Sequence, residues 1–462
     1  MQIKFGTDGW RAKIAEDFTF SNLKVVAQAT ADYFKTVAGR NKKAIVGYDL
    51  RFFSEKYASL VADILASNGF SVILAKKAVT TPTVSFTVVK EKAFFGVMIT
   101  SSHNPYEYNG FKIKTFNGAS AAKKETSGVE AMLFKNPVKE GLRSYKTRDL
   151  IDPYLSFIKT FVNMKRINKC SFKVVIEPMY GSSQGLLLKI LKDSKLKLFP
   201  LHHFRDAMFG GIKPEPLDFL LTEAKIAIKK ERAAIALVTD GDGDRFAIID
   251  DKSIFYSTQH LMPLLLEHLL FNKHLRGGVV ITTATTSCAE IIARRNGLKR
   301  FYTPIGFKNI ANLMLKDDIL IGAEESGGMG IKGYLPERDG ILLGLMLLEM
   351  LAETGKKPSE LLKELENKYG RFCYDRIDVK YPPEQKNIIF NRIEAFNPEK
   401  LFGKTVRSIS RDDGIKYTME DASWLVLRQS GTEPILRIYA EASKPETVTK
   451  YLNFGRDLAL KD

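Results

Sequence analysis

Two short segments far apart in the chain hold the residues best suited to chemistry: Thr100-Ser101-Ser102-His103-Asn104-Pro105 and Asp240-Gly241-Asp242-Gly243-Asp244-Arg245. The first presents hydroxyls in a tight polar turn straight after an apolar run at 94–99. The second sets three carboxylates and two glycines within five residues, after another apolar run at 234–238. A hydroxyl nucleophile together with a carboxylate cage for a hard divalent cation is equipment for phosphoryl transfer.

The aspartate loop is the sharper signal. Glycines at alternate positions let the backbone turn, so Asp240, Asp242 and Asp244 can converge on one cation instead of splaying to opposite faces as in a strand. Oxygen-only ligands favour Mg²⁺ over zinc. The same D-x-D-x-D spacing opens an EF-hand, but that loop wants glycine sixth and glutamate twelfth, where this chain has Arg245 and Asp251. The plain alternative is a solvated acidic turn, against which stands the mutual repulsion of three carboxylates with no positive charge among them. For Ser102, adjacency to His103 does not make a catalytic triad, since sequence neighbours rarely meet in that geometry and no G-x-S-x-G elbow is present. Taken alone, a serine-rich turn before Pro105 is as well read as structural. The aspartate loop gives it a chemical reading: a phosphorylated serine adds an anionic oxygen ligand, and the cation makes the phosphoryl group a better donor.

Two further loops belong with these. Gly322-Ala323-Glu324-Glu325-Ser326-Gly327-Gly328 offers carboxylates and a hydroxyl on a glycine-flanked turn, suited to the vicinal hydroxyls of a sugar. Arg428-Gln429-Ser430-Gly431-Thr432-Glu433-Pro434, with Arg437, joins two guanidiniums, two hydroxyls and backbone N–H groups around a glycine turn, a phosphate-ester cradle in kind. Each also has a bland reading, a glycine-rich connection and a basic hairpin.

Such loops need strand ends to hold them. Short β-type runs alternate with amphipathic helices for most of the chain, the pattern of layered α/β domains. Ser21 and Ser54 are the expected caps of two helices, ending near Gly39 and before Gly69, with strands at 44–48, 72–75 and 94–99. The cycle restarts at 172–177, with a helix after Ser182-Ser183 and strands at 195–199 and 234–238; a third round runs through 278–282, 300–302 and 318–321. Both chemical loops then leave the carboxyl ends of parallel strands, where open α/β sheets place ligands. Strand runs at 371–379, 422–427 and 435–440, with helices led by Pro382-Pro383 and Pro445, read as a smaller α+β domain. The expected domains are 1–148, 149–252, 253–369 and 370–462, three related α/β units with mixed sheets and a C-terminal α+β unit around a central cleft.

At 462 residues the chain is too long for one core. Its 70 Lys and Arg against 53 Asp and Glu leave a net +17, which suggests anionic partners. The basic residues are scattered among acids, so small phosphorylated substrates fit better than nucleic acid. The three cysteines, Cys170, Cys288 and Cys373, have no CxxC pairing and read as reduced thiols. The N-terminal residues lack an apolar h-region, and the most apolar stretch, 341–350, is too short to span a bilayer. A soluble, cytoplasmic protein with no membrane contact is expected.

The four loops in this order resemble those of the α-D-phosphohexomutase family, over essentially the whole chain. Phe5-Gly6-Thr7-Asp8-Gly9-Trp10-Arg11 resembles the family's opening F-G-T-x-G-x-R, and Gly47-Tyr48-Asp49-Leu50-Arg51 its G-x-D-x-R. Thr100 through Pro105 resembles its T-x-S-H-N-P loop, and Thr303-Pro304-Ile305-Gly306-Phe307-Lys308 its T-P-x-G loop. The resemblance implies a phosphoryl carrier at Ser102, Mg²⁺ held by Ser102, Asp240, Asp242 and Asp244, and a fourth domain closing over the substrate phosphate. It implies substrate contacts from His103, Thr303, Glu324, Ser326, Arg428, Ser430, Gly431, Thr432 and Arg437. It also implies passage through a hexose 1,6-bisphosphate, with glucose 1,6-bisphosphate as primer, in a monomer or homodimer. Relatives that carry histidine in the T-P-x-G loop or after the sugar loop differ here, where Phe307 and Gly328 stand. Arg11, Lys112, Arg245 and Lys308 are therefore the expected catalytic partners of Ser102, with Lys112 or Lys308 assisting proton transfer through a lowered pKa. The Glu324-Glu325-Ser326 triplet points to glucose 1-phosphate and glucose 6-phosphate, with mannose phosphates also open. The alternatives are a phosphoglucosamine mutase, a metal-dependent sugar-phosphate phosphatase, and a non-enzymatic basic binding protein.

Overall fold

The computed structural model describes residues 3–6, 9–37, 39, 41–430 and 434–460. The chain gathers into two compact units, one of Met1–Ser257 with Ser326–Ser359, the other of Thr258–Glu325 with Glu360–Asp462.

In the first unit, one six-stranded sheet runs in the order Trp10–Lys13, Tyr108–Thr115, Phe95–Ile99, Lys43–Tyr48, Ser71–Ala75, Lys146–Arg148. The strand Phe95–Ile99 is parallel to Lys43–Tyr48 and antiparallel to Tyr108–Thr115, so the sheet is mixed. Its residues are all buried because both faces are covered. Val46 and Val97 face the helices Phe20–Val37 and Ser54–Ser67, while Ile45 and Met98 face Val84 and Val88 of the helix Thr81–Lys90.

Neither expected serine cap survives. Ser21 lies inside the first turn of Phe20–Val37, and Thr19 Oγ1 instead accepts from the Asn22 amide at 3.2 Å. Ser54 opens its helix after a left-handed Phe53 and donates its hydroxyl to Asp49 at 2.7 Å, a carboxylate that outcompetes its own backbone.

The second sheet of this unit has the order Phe255–Tyr256, Phe246–Asp250, Ile235–Thr239, Lys173–Glu177, Lys197–Pro200. Ile235–Thr239 is parallel to Lys173–Glu177, so the aspartate loop leaves the carboxyl end of a parallel strand, as the Ser102 loop does. The apolar stretch near 341–350 is a core helix, Gly340–Thr354, packed on this sheet through Gly344 against Phe246 and Leu237. Asp339 caps it, accepting from the Ile341 and Leu342 amides at 3.0 Å each.

The second unit contains the parallel strands Arg300–Thr303, Gly278–Thr282 and Ile319–Ala323. It also holds a six-stranded sheet in the order Cys373–Lys380, Ile435–Ala442, Trp424–Gln429, Ile415–Met419, Lys404–Ser410, Lys400–Leu401, whose mapped pairings are all antiparallel. Three of these strands, Ile415–Met419, Lys404–Ser410 and Lys400–Leu401, lie outside the expected runs; 404–410 is half-exposed and polar. The fold is α/β throughout with a final α+β part, as expected. Among the described residues, no helix is long and apolar enough to cross a membrane.

Candidate active site

Ser102 sits at the end of a buried strand with φ of 53°, and it is 2% exposed. Its amide donates to Thr100 Oγ1 at 2.9 Å, which fixes the turn. The larger constraint is Arg51, fully buried, whose guanidinium donates to the carbonyls of Ser102 (2.7 Å), Asn104 (2.6 Å), Pro105 (2.7 Å) and Tyr108 (3.0 Å). Asp49 lies 3.3 Å from Arg51 Nε and supplies its countercharge. One side chain thereby holds three carbonyls of the loop and that of Tyr108, where the next strand begins.

The turn brings Ser102 to the aspartate loop. Ser102 Oγ donates to Asp240 Oδ2 at 3.0 Å. Gly241 must be glycine here, because a Cβ would lie 2.5 Å from the Ser102 carbonyl oxygen. Gly243, at φ +73°, completes the turn.

Asp240, Asp242 and Asp244 are each 0% exposed, and one oxygen from each lies within 4.8 Å of the others. Each is held separately. Asp240 Oδ1 accepts from the Asp244 and Arg245 amides at 3.0 Å. Asp242 Oδ2 accepts from Thr81 Oγ1 at 2.5 Å and Lys112 Nζ at 2.9 Å. Asp244 Oδ2 accepts from Arg338 at 2.6 Å and lies 3.5 Å from Lys112 Nζ.

Burial drives Asp240 well above the usual carboxylate range, and its two loop partners add to the rise. Burial also raises Asp244, against Arg338. For Asp242 burial is outweighed by Lys112 and Thr81, which hold its carboxyl well below that range. Carboxylates this close titrate as a group and hold their protons unequally.

Arg245 spans the rim, donating to Glu215 Oε1 at 2.5 Å and lying 3.3 Å from His103 Nε2. His103 Nδ1 is 3.3 Å from Ser102 Oγ. Burial and then the neighbouring Arg245 and Arg11 push His103 well below its ordinary pKa, so the ring is neutral. Arg11 donates to Asn104 Oδ1 at 2.8 Å. Ser326 is half-buried beside this loop, where the neighbouring Gly327 carbonyl accepts from the Phe246 amide at 3.0 Å.

The remaining expected residues lie in the second unit. Thr303 ends a strand, Lys308 starts the helix Phe307–Lys316, and Glu324 is 8% exposed just past a buried strand. Arg428 and Arg437 are cross-strand neighbours, tied to Asp413 (2.7 Å) and Asp378 (4.0 Å). Ser430 is buried, its amide donating to the Ile435 carbonyl at 2.8 Å. Gly431 and Thr432 lie outside the described residues.

Four family models match the chain in order. They are the α/β/α domains I (residues 2–139), II (152–253) and III (257–369) and the C-terminal domain (379–455) of phosphoglucomutase/phosphomannomutase. A phosphoglucomutase/phosphomannomutase of Thermococcus kodakarensis is 30% identical over 98% of this chain and 97% of its own. The chain belongs to the α-D-phosphohexomutase family. A crystal structure from Thermus thermophilus, named as that of a phosphomannomutase, is 33% identical over 99% of both chains with a TM-score of 0.88. A phosphoglucosamine/phosphogalactosamine mutase of Sulfurisphaera tokodaii is 27% identical over 97% of both chains. The relatives thus carry different sugar names, and the family membership leaves the sugar unresolved.

The phosphohexomutase cage fits a hard cation. Asp242 Oδ1 and Asp244 Oδ1 are buried with no hydrogen-bond partner among the described residues, and Asp240 completes an all-oxygen set. Residues that sequence reasoning passed over also hold this site: Thr81, Glu215 and Arg338, with Arg51 quoted in a motif but given no role. Arg338 carried one usable signal, charged residues Glu337-Arg338-Asp339 set directly before a helix whose first nine residues are all apolar. Lys114 pairs with Glu337 in the interior, beside it.

Proposed function

We propose that this phosphohexomutase interconverts glucose 1-phosphate and glucose 6-phosphate, with Ser102 as the phosphoryl carrier. The observation that carries the reading is the 3.0 Å contact of Ser102 Oγ with a fully buried aspartate cage that keeps two carboxylate oxygens unsatisfied. As a phosphoserine, Ser102 passes its phosphoryl group to the free hydroxyl of a hexose monophosphate. The Oγ–P bond breaks, a new sugar O–P bond forms, and the product is a hexose 1,6-bisphosphate that reorients and returns its other phosphoryl group. Asp240, Asp242 and Asp244 would hold Mg²⁺, which when bound draws charge from the phosphoryl oxygens and makes the group a better donor.

The chain's own residues supply the rest. Arg11 and Arg245 bind phosphoryl oxygens, and Lys112 moves the proton of the attacking hydroxyl, with Lys308 the alternative. His103, neutral and wedged between Ser102 and Arg245, orients the carrier loop. Thr303, Glu324 and Ser326 read sugar hydroxyls, and Arg428, Ser430, Gly431, Thr432 and Arg437 take the non-transferring phosphate. The working domains in this reading are 1–148, 149–252, 253–369 and 370–462, and glucose 1,6-bisphosphate primes an unphosphorylated chain.

The Glu324-Glu325-Ser326 triplet favours glucose phosphates. Phosphoglucosamine mutation is the second reading, favoured by the names among the relatives. The test is turnover of glucose, mannose and glucosamine 1-phosphates with Mg²⁺ and a trace of glucose 1,6-bisphosphate, wild type against Ser102→Ala. Glucose fastest, with loss in the variant, is expected. A faster glucosamine rate would transfer the assignment, and steady phosphate release without isomerisation would make the protein a phosphatase.

A further inference from the structure

The second unit also encloses a cavity of about 1000 Å³ that the proposed reaction does not need. It opens between the helix Ser287–Arg295 with the strand Arg300–Thr303 on one side and the strands Lys404–Ser410 and Ile415–Met419 on the other. Its volume is at the upper end of small-molecule sites, which run about 300–1,000 Å³.

Its lining carries four cations, Arg294, Arg300, Arg407 and Lys416, against three carboxylates, Glu290, Asp412 and Glu420. Two of those carboxylates are engaged locally, Glu290 by the Tyr302 hydroxyl at 2.7 Å and Asp412 by Ser410 Oγ at 2.8 Å. Lys416 is engaged as well, donating to the Thr283 carbonyl at 2.8 Å and lying 4.7 Å over the Trp424 ring. Arg294, Arg300 and Arg407 are different: among the described residues, no side-chain hydrogen bond or ion pair engages any of their guanidiniums. Arg300 and Arg407 line the same cavity as Tyr302 from opposite walls, one on the strand Arg300–Thr303 and the other on Lys404–Ser410. By contrast, Arg428 of the phosphate loop already donates to Asp413 at 2.7 Å, and Arg437 lies 4.0 Å from Asp378. Three unmatched guanidiniums in one concave site raise the local positive potential, which an anion relieves.

We propose that this cavity is a second ligand site, for a small hydroxylated molecule carrying two phosphoryl groups. The lining's net charge is +1, which one phosphate monoester would already offset, so the number of phosphoryl groups follows from hydrogen bonding: three guanidinium forks call for more phosphoryl oxygens than the three of a single monoester, and two phosphoryl groups supply them. Tyr302, 64% exposed, offers a ring face, and the hydroxyls of Thr283, Ser287, Ser408 and Thr418 suit a polyhydroxyl skeleton. Two sources share that chemistry, a hexose bisphosphate and a nucleoside diphosphate hexose. Thr303 and Pro304 close one end, so the ligand would lie against the loop that the mutase reading assigns to the sugar. The site itself does not depend on that reading.

Calorimetric titration of the full chain with uridine diphosphate glucose and, separately, glucose 1,6-bisphosphate tests this, wild type against R294A/R300A/R407A. All three arginines are exposed and unpaired, so the variant should unfold at the same temperature and retain hexose phosphate turnover. The expected result is a site lost, or weakened at least about tenfold, for one of the probes. Loss for the nucleotide sugar alone assigns that ligand class; a fall from two sites to one for the bisphosphate assigns the other. Unchanged stoichiometry and affinity for both probes would overturn the proposal. A chain with no mutase turnover but arginine-dependent binding would sink the preceding reading and leave this one standing.

Discussion

The two units treat positive charge in opposite ways. Around the aspartate cage of the first unit, Arg51, Lys112, Arg245 and Arg338 are buried and each faces a named carboxylate, Asp49, Asp242, Glu215 and Asp244. In the cavity of the second unit, three arginines face solvent with no carboxylate of their own. Buried pairs fix geometry, because losing one partner strands the other in a dry interior. Exposed, unmatched cations leave the fold almost indifferent and reserve their interaction for something that arrives. The first arrangement suits a reaction that needs atoms held in place, the second a ligand that comes and goes.

Substitutions can break that contrast, beginning with the reaction itself. Ser102→Ala should lower turnover by roughly 10³-fold or more in the coupled assay while leaving the fold intact, since only the hydroxyl's contacts to Asp240 and His103 are lost. Retained turnover would show that the cage serves some other carrier. Gly241→Ala should cost about 10²-fold in turnover, because the new Cβ must displace the Ser102 carbonyl that it would meet at 2.5 Å.

Arg51→Met separates the units by stability. Taking the countercharge from buried Asp49 and a donor from four carbonyls should destabilise the protein by about 3–5 kcal/mol in denaturant unfolding, against about 0.5 kcal/mol or less for Arg300→Ala. Equal costs would erase the distinction drawn here.

The smallest effect is a pH dependence away from the cage. His202, in the first unit, has Nδ1 2.6 Å from Glu177 and Nε2 3.1 Å from Glu223, and the Glu177 hydrogen bond above all raises its pKa over the ordinary 6.5. The folded protein therefore binds this proton more tightly than the unfolded chain, so the stabilisation is full below pH 6.5 and fades as pH rises through the folded value. His202→Gln should cost up to about 1 kcal/mol near pH 5.5, reduced by solvent screening, and nothing near pH 9, measured by unfolding at both. A cost that does not change with pH would mean that the ring matters only for packing against Tyr180.

The α/β pattern, the strand ends and the convergence of Ser102 with the three aspartates were all legible, because alternating apolar runs and glycine-spaced carboxylates are local signals. The cap at Thr19 lies two residues before the expected Ser21, and Ser54 does not cap because its hydroxyl answers Asp49, five residues upstream. Arg338 and Thr81 escaped for a deeper reason: their meaning lies in Asp244 and Asp242, and nothing local at either position reports a partner 94 or 161 residues distant. The cavity arginines escaped as well, since isolated basic residues on a helix and two strands look like ordinary surface until the fold gathers them.

That 94-residue gap has a meaning during synthesis. The aspartate loop belongs to the first stretch of its unit and Arg338 to the second, with all of 258–325 made in between. At about 5–20 residues per second, the ribosome leaves Asp244 without its guanidinium for roughly 5–20 s. A nascent chain in that interval carries an acidic knot with incomplete internal compensation. Only as the last stretch of this unit is made does the arginine arrive that lets the knot close into the interior.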